Sequence, residues 1–100
     1  MELSSKAKKK LRAAAHSIKP SIIIGKEGAS SRSIDSIDKI LDIKELIKIK
    51  FNSYKDEKNK IINYIAEKLD AVVVGRIGNI VILFRQIPEI DKRKFFIDEV

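Results

Sequence analysis

The chain contains no cysteine and no tryptophan, a single histidine (His16), and only two prolines and four glycines among 100 residues. The missing cysteine removes disulfides, thiolate metal ligands and thiol nucleophiles together, and fits a reducing compartment. With one histidine, a zinc centre would have to be built almost wholly from carboxylates, which excludes the usual donor sets. No apolar run approaches the roughly 18 residues of a membrane span; the longest are Ala71-Val72-Val73-Val74 and Ile80-Val81-Ile82-Leu83-Phe84. The lysines near the N-terminus are not followed by an apolar stretch, so no secretory signal is expected and a cytoplasmic location is. Low-complexity segments, long linkers and internal repeats are also missing.

What is present is enough for one modest core. Hydrophobic residues make up 44% and charged residues 35%, a balance neither disordered nor membranous. The formal charge is +7, from 21 basic and 14 acidic groups, and it is unevenly spread. Residues 1–26 carry seven bases against one acid, a net +6, whereas residues 27–100 carry fourteen against thirteen. A basic segment concentrated at one end of a folded domain suits a polyanionic partner, although a solvated lysine-rich end has the same composition.

Hydrophobic periodicity predicts a helix over residues 4–18, capped by Ser4 or Ser5, with Ala7, Leu11, Ala14, Ala15 and Ile18 inward and Lys9, Arg12 and His16 on the opposite face. Lys19-Pro20 ends it, and Ser21-Ile22-Ile23-Ile24 reads as a short buried strand. After the Gly25–Gly28 turn, Ser30 or Ser31 caps a second helix to about Ile43, with Ile34, Ile37 and Leu41 inward. Residues 45–52 alternate as a strand, Ile47, Ile49 and Phe51 toward helices and Leu46, Lys48 and Lys50 toward a partly wet face. Asp56-Glu57 open a third helix whose inner face is Ile61, Ile62, Ile65, Ala66 and Leu69. Residues 71–77 and 80–85 form a hairpin turning at Gly78-Asn79. The order α-β-α-β-α-β-β defines an α/β domain over residues 1–88 with a four-stranded mixed sheet. Residues 89–100 form a tail whose Lys94-Phe95-Phe96-Ile97 either docks on the domain or adds an edge strand.

Gly25-Lys26-Glu27-Gly28 is a GxxG loop between a strand and a helix. Glycines lack a Cβ and let the main chain approach a sugar-phosphate backbone, and the following helix start turns N–H groups toward the anion. An ordinary turn would use the same glycines. Gly75-Arg76-Ile77-Gly78 repeats the spelling on a strand, where Gly75 more simply permits a bulge or a close approach, while Arg76 remains able to reach a phosphate. Asp35, Asp38 and Asp42 share a helix face and read as a solvated surface rather than a cation site. His16 has no nucleophile or carboxylate partner nearby in sequence, and Tyr54, Tyr64 and Phe84 are scattered rather than paired for base stacking.

Taken in order, Ser5-Lys6, Leu11-Arg12, Ala15-His16, Ile18-Lys19-Pro20 and Ile24-Gly25-Lys26-x-Gly28 resemble the opening of the CRM domain (chloroplast RNA splicing and ribosome maturation), whose stand-alone members are YhbY-like proteins. Residues 45–50 resemble that family's second strand, and residues 78–85, ending Phe84-Arg85, resemble its closing hairpin. The sequence departs from the family at Phe84, where tyrosine is common, and at Gly75 in the third strand. The resemblance implies a fold similar to the C-terminal domain of a bacterial translation initiation factor. It also implies a protein that binds RNA, ribosomal RNA of the assembling large subunit in particular. From the residues, no acid-base pair or metal set can be assembled, so no catalysis or cofactor is expected, and a monomer is expected. The residues expected to meet RNA are Lys6, Lys9, Lys10, Arg12, His16, Lys19, Gly25, Lys26, Glu27 and Gly28, with Arg76 and Arg85 from the hairpin. The rival reading is a protein- or membrane-surface module using the same basic helix; its alanine-rich inner face lacks Trp or Phe anchors.

Overall fold

The computed structural model describes residues 2–97. Three helices, α1 (Ser5–Ala15), α2 (Ser31–Lys44) and α3 (Lys58–Leu69), accompany four strands, β1 (Ile22–Ile24), β2 (Leu46–Phe51), β3 (Val72–Ile77) and β4 (Ile80–Phe84). The sheet order is β1-β2-β4-β3; β1 runs parallel to β2, and β4 is antiparallel to both β2 and β3. This is the mixed α/β sheet that the element order predicts. No helix is long and apolar enough to cross a membrane among the described residues.

Strand alternation divides the interior in two. Ile47, Ile49 and Phe51 of β2, with Val81 and Leu83 of β4, meet Ile34, Ile37 and Leu41 of α2 and Ile62, Ile65 and Ala66 of α3. On the reverse face Leu46, Val74, Ile82 and Phe84 meet Ala7, Leu11 and Ala15 of α1. Leu46, assigned by alternation to a partly wet face, is therefore fully buried. Its strand neighbours Lys48 and Lys50 keep more contact with solvent, because the helix covers only part of that face. Alanines at the contact let α1 lie close to the sheet, as expected.

The first helix stops three residues earlier than predicted. Ser4 Oγ caps its start by accepting from Ala7 N–H at 3.0 Å. At its end Ile18 N–H bonds to Ala15 O at 3.0 Å, tightening the chain before Lys19-Pro20, where a helical conformation is sterically blocked. Ile18 still packs on the second core from outside the helix. At the third helix the acids sit just before the first turn: Lys58 is its first residue, and Glu57 occupies the cap position without a side-chain cap bond.

Between α2 and β2, Glu45 has a left-handed φ of 63° and a fully buried side chain. Its carboxylate accepts three main-chain N–H bonds, from Ile87 at 2.8 Å, Lys94 at 2.6 Å and Phe95 at 3.2 Å. These bonds resolve the open alternative for the tail: it docks. A 3-10 turn at Ile90–Lys92 leads into Phe95, whose ring meets Phe84 edge-on at 6.3 Å, and Ile97 also packs on the second core. Residues 98–100 of the expected tail lie outside the described residues.

Candidate nucleic-acid interface

Three segments gather at one end of the sheet. Ile24 O, at the end of β1, accepts from Asn52 N–H at 2.9 Å and Ser53 N–H at 3.3 Å, while Phe51 N–H reaches Asn79 O at 2.8 Å. The Gly25–Gly28 loop, the Asn52–Tyr54 segment and the Gly78-Asn79 hairpin are thus neighbours.

The loop itself is a closed turn. Gly28 N–H bonds to Gly25 O at 3.0 Å, and Gly28 takes a φ of 67°, which a side chain would strain. Ser30 then caps α2, its Oγ accepting from Ser33 N–H at 3.2 Å. Tyr54 supports the turn from below: its hydroxyl donates to Lys26 O at 2.7 Å and its ring lies on Gly28, 3.3 Å from where a Cβ would stand. Gly28 is buried under that ring, while Lys26 and Glu27 project into solvent. Tyr54 is not legible in the sequence as a loop residue, because its part depends on a contact 28 positions away. Its own left-handed φ of 56° is the one local oddity, and sequence does not display it.

The basic residues expected of the first helix fall into two groups. Lys6, Lys9 and Lys10 are exposed on α1, and His16 and Lys19 are exposed on the short connector to β1. Arg12 is different. Helical spacing sets it opposite the apolar face, yet its guanidinium bends back so that Nη1 donates to Val74 O at 3.1 Å. Its stem occupies the space left by Gly75, whose missing Cβ would stand 2.8 Å from Arg12 Cδ. Gly75 also sits at a register shift in the β3–β4 pairing. The glycine thus serves both of the uses expected of it, a bulge and a close approach.

Arg85 is held inside the fold. Its guanidinium donates to Asp38 Oδ1 at 2.7 Å, Asp42 Oδ1 at 2.8 Å, Asp38 O at 2.8 Å and Leu69 O at 3.0 Å, and its side chain is 19% exposed. It ties α2 and the end of α3 to the end of β4, with both terminal nitrogens of the guanidinium bonded within the fold. The same contacts correct Asp38 and Asp42, which face an arginine rather than only solvent. Among the described residues no cluster of three or more acidic or histidine side chains could hold a metal ion. Arg76 lies exposed on the edge strand β3, with Nη2 3.4 Å from Asn63 Oδ1.

This fold is shared with a hypothetical protein from Staphylococcus aureus described as an RNA-binding candidate. Its solution structure superposes with a TM-score of 0.77 and 31% identity, over 92% of this chain and 97% of that one. The CRS1 / YhbY (CRM) domain matches residues 3–85, and the chain belongs to that family. A Methanocaldococcus jannaschii relative named "Probable RNA-binding protein" is 39% identical over 84% of this chain; the aligned part spans 64% of that relative's length. A Haemophilus influenzae relative named "RNA-binding protein" is 34% identical over 87% of this chain and 89% of its own.

Proposed function

We propose that this protein binds RNA without chemistry of its own, and that its target is ribosomal RNA in the assembling large subunit. The observation that carries the reading is the Gly25–Gly28 turn. It is held by Tyr54 from beneath, so Lys26 and the main chain of the loop face outward without having to be ordered on binding. The exposed lysines of α1, with His16 and Lys19 on the connector, extend a basic track along the chain leading to that loop. Relatives named as RNA-binding proteins support the partner class, and family resemblance supports the ribosomal target.

The inner face of α1 argues against the membrane-surface reading, since Ala7, Leu11 and Ala15 are already buried against the sheet and leave no apolar face for a bilayer. Two measurements test the proposal. Affinity for structured RNA should fall steeply between low and physiological salt as phosphate counterions are released. Crosslinking of the tagged protein in cells, followed by sequencing of the attached RNA, should recover large-subunit ribosomal RNA above its background. Recovery of other RNAs alone overturns the ribosomal target, and salt-independent or undetectable binding overturns the RNA reading.

A further inference from the structure

Two adjacent phenylalanines in the docked tail point to opposite fates. Phe95 enters the second core against Phe84, whereas Phe96 leaves 64% of its surface exposed. The exposed ring cannot easily retreat. On one side Phe95 N–H is held by Glu45 Oε1 at 3.2 Å, and on the other Phe96 O accepts from Lys10 Nζ at 3.4 Å. The ring borders an open groove of about 220 Å³ lined by Ser4, Lys6, Ala7, Lys10, Phe96 and Ile97. Lys6 and Lys10 stand one helical turn apart on α1, so two basic side chains line the groove together with the aromatic ring.

We infer that this groove holds one unpaired nucleotide of a bound RNA, its base stacked on Phe96 and its phosphates on Lys6 and Lys10. The inference rests on the RNA reading above and adds a site outside the GxxG loop. An aromatic face beside a basic track is the chemistry that binds single-stranded nucleic acid, because every base has a face to stack and every linkage has a charge to neutralise. The size fits: a cavity of about 150 Å³ holds a benzene ring, and the groove is somewhat larger. An apolar protein side chain would have to settle between two lysines, gaining nothing from their charge. Lys6 and Lys10 complement the charge of an RNA backbone.

The test uses the full chain and two RNA hairpins of identical stem, one blunt and one with a single-stranded 3′ extension. Wild type should bind the extended hairpin more tightly. Phe96→Ala should weaken that binding about 5- to 150-fold, the worth of one stacked base, and leave the blunt hairpin unaffected. Because the chain has no tryptophan, Phe96→Trp restores the platform and supplies a lone reporter whose emission should be quenched by the extended hairpin and not by the blunt one. Circular dichroism of each variant checks that the fold is retained. Equal affinity of wild type and a folded Phe96→Ala for the extended RNA overturns the stacking site. Bound RNA with unchanged Trp emission, or equal losses on both hairpins, does so as well. Failure of wild type to bind either RNA instead removes the RNA reading itself.

Discussion

Two segments of this chain are spelled GxxG, and they do different physical work. In Gly25-Lys26-Glu27-Gly28 the last glycine permits a left-handed turn and accepts an aromatic ring, while the middle residues are offered to solvent. In Gly75-Arg76-Ile77-Gly78 the first glycine is a hollow in a strand filled by the stem of Arg12, and the last is the left-handed corner of a two-residue hairpin. Both segments border the same end of the sheet. What separates them is the backbone beneath: a turn opening a helix presents its middle, whereas a strand buries or edges its own.

The comparison is sharpest in function. Replacing Lys26 and Glu27 together by aspartate takes the loop from neutral to −2 while leaving both glycines and the Lys26 carbonyl in place. RNA affinity should fall about 5- to 150-fold, with an unchanged melting temperature. The matched change of Arg76 and Ile77 to Asp and Thr should have much less effect on binding, provided the variant is folded; a larger loss there would move the RNA face to the hairpin.

In stability the largest effect falls on Gly28. Gly28→Ala combines a left-handed φ with a contact 3.3 Å from the Tyr54 ring, and should cost about 2 kcal/mol by denaturant titration. Gly78→Ala has a similar φ of 58° in open space and should cost only the strain, about 1 kcal/mol. Equal losses would mean that Tyr54 yields freely and does not brace the loop.

Gly75→Ala offers a test by sign. In the native chain the added methyl displaces Arg12 and should cost about 1 kcal/mol. In an Arg12→Ala background the obstruction is gone, and the same change should be neutral or mildly stabilising, because glycine weakens a strand. Additive effects in this cycle would show that the 2.8 Å approach carries no energy. Arg12 is for the same reason a poor choice for a purely electrostatic mutation, since its removal changes packing on β3. The smallest effect is expected at Gly25, where an added methyl would meet nothing within 4 Å and φ is not left-handed; Gly25→Ala should shift stability by less than about 0.5 kcal/mol.

The elements are legible in the sequence because apolar periodicity marks them locally. Ile34, Ile37 and Leu41 declare a helix face, and Ile47, Ile49 and Phe51 a strand face, without knowledge of any partner. The polar contacts are not. Arg85 reads as a free basic group until α2 is known to lie beside the end of β4, bringing Asp38 and Asp42 to it from more than forty positions away. Arg12 reads as an outward residue because helical spacing specifies the direction of Cβ, and a long flexible side chain need not follow it. The turn at Gly25–Gly28 is visible as spacing, but its support is not, since Tyr54 belongs to another loop.

The buried carboxylate of Glu45 imposes an order on how the molecule is made. A ribosome delivers Glu45 long before its hydrogen-bond donors, which follow 42, 49 and 50 residues later. Through that interval the first core can assemble from α2, α3 and the strands already synthesised, while this anion must stay hydrated. Seating of Phe95 against Phe84 therefore waits on the emergence of residue 95. A nascent chain stalled just short of it would carry both cores with its tail undocked, distinguishable by protease cleavage after Phe84.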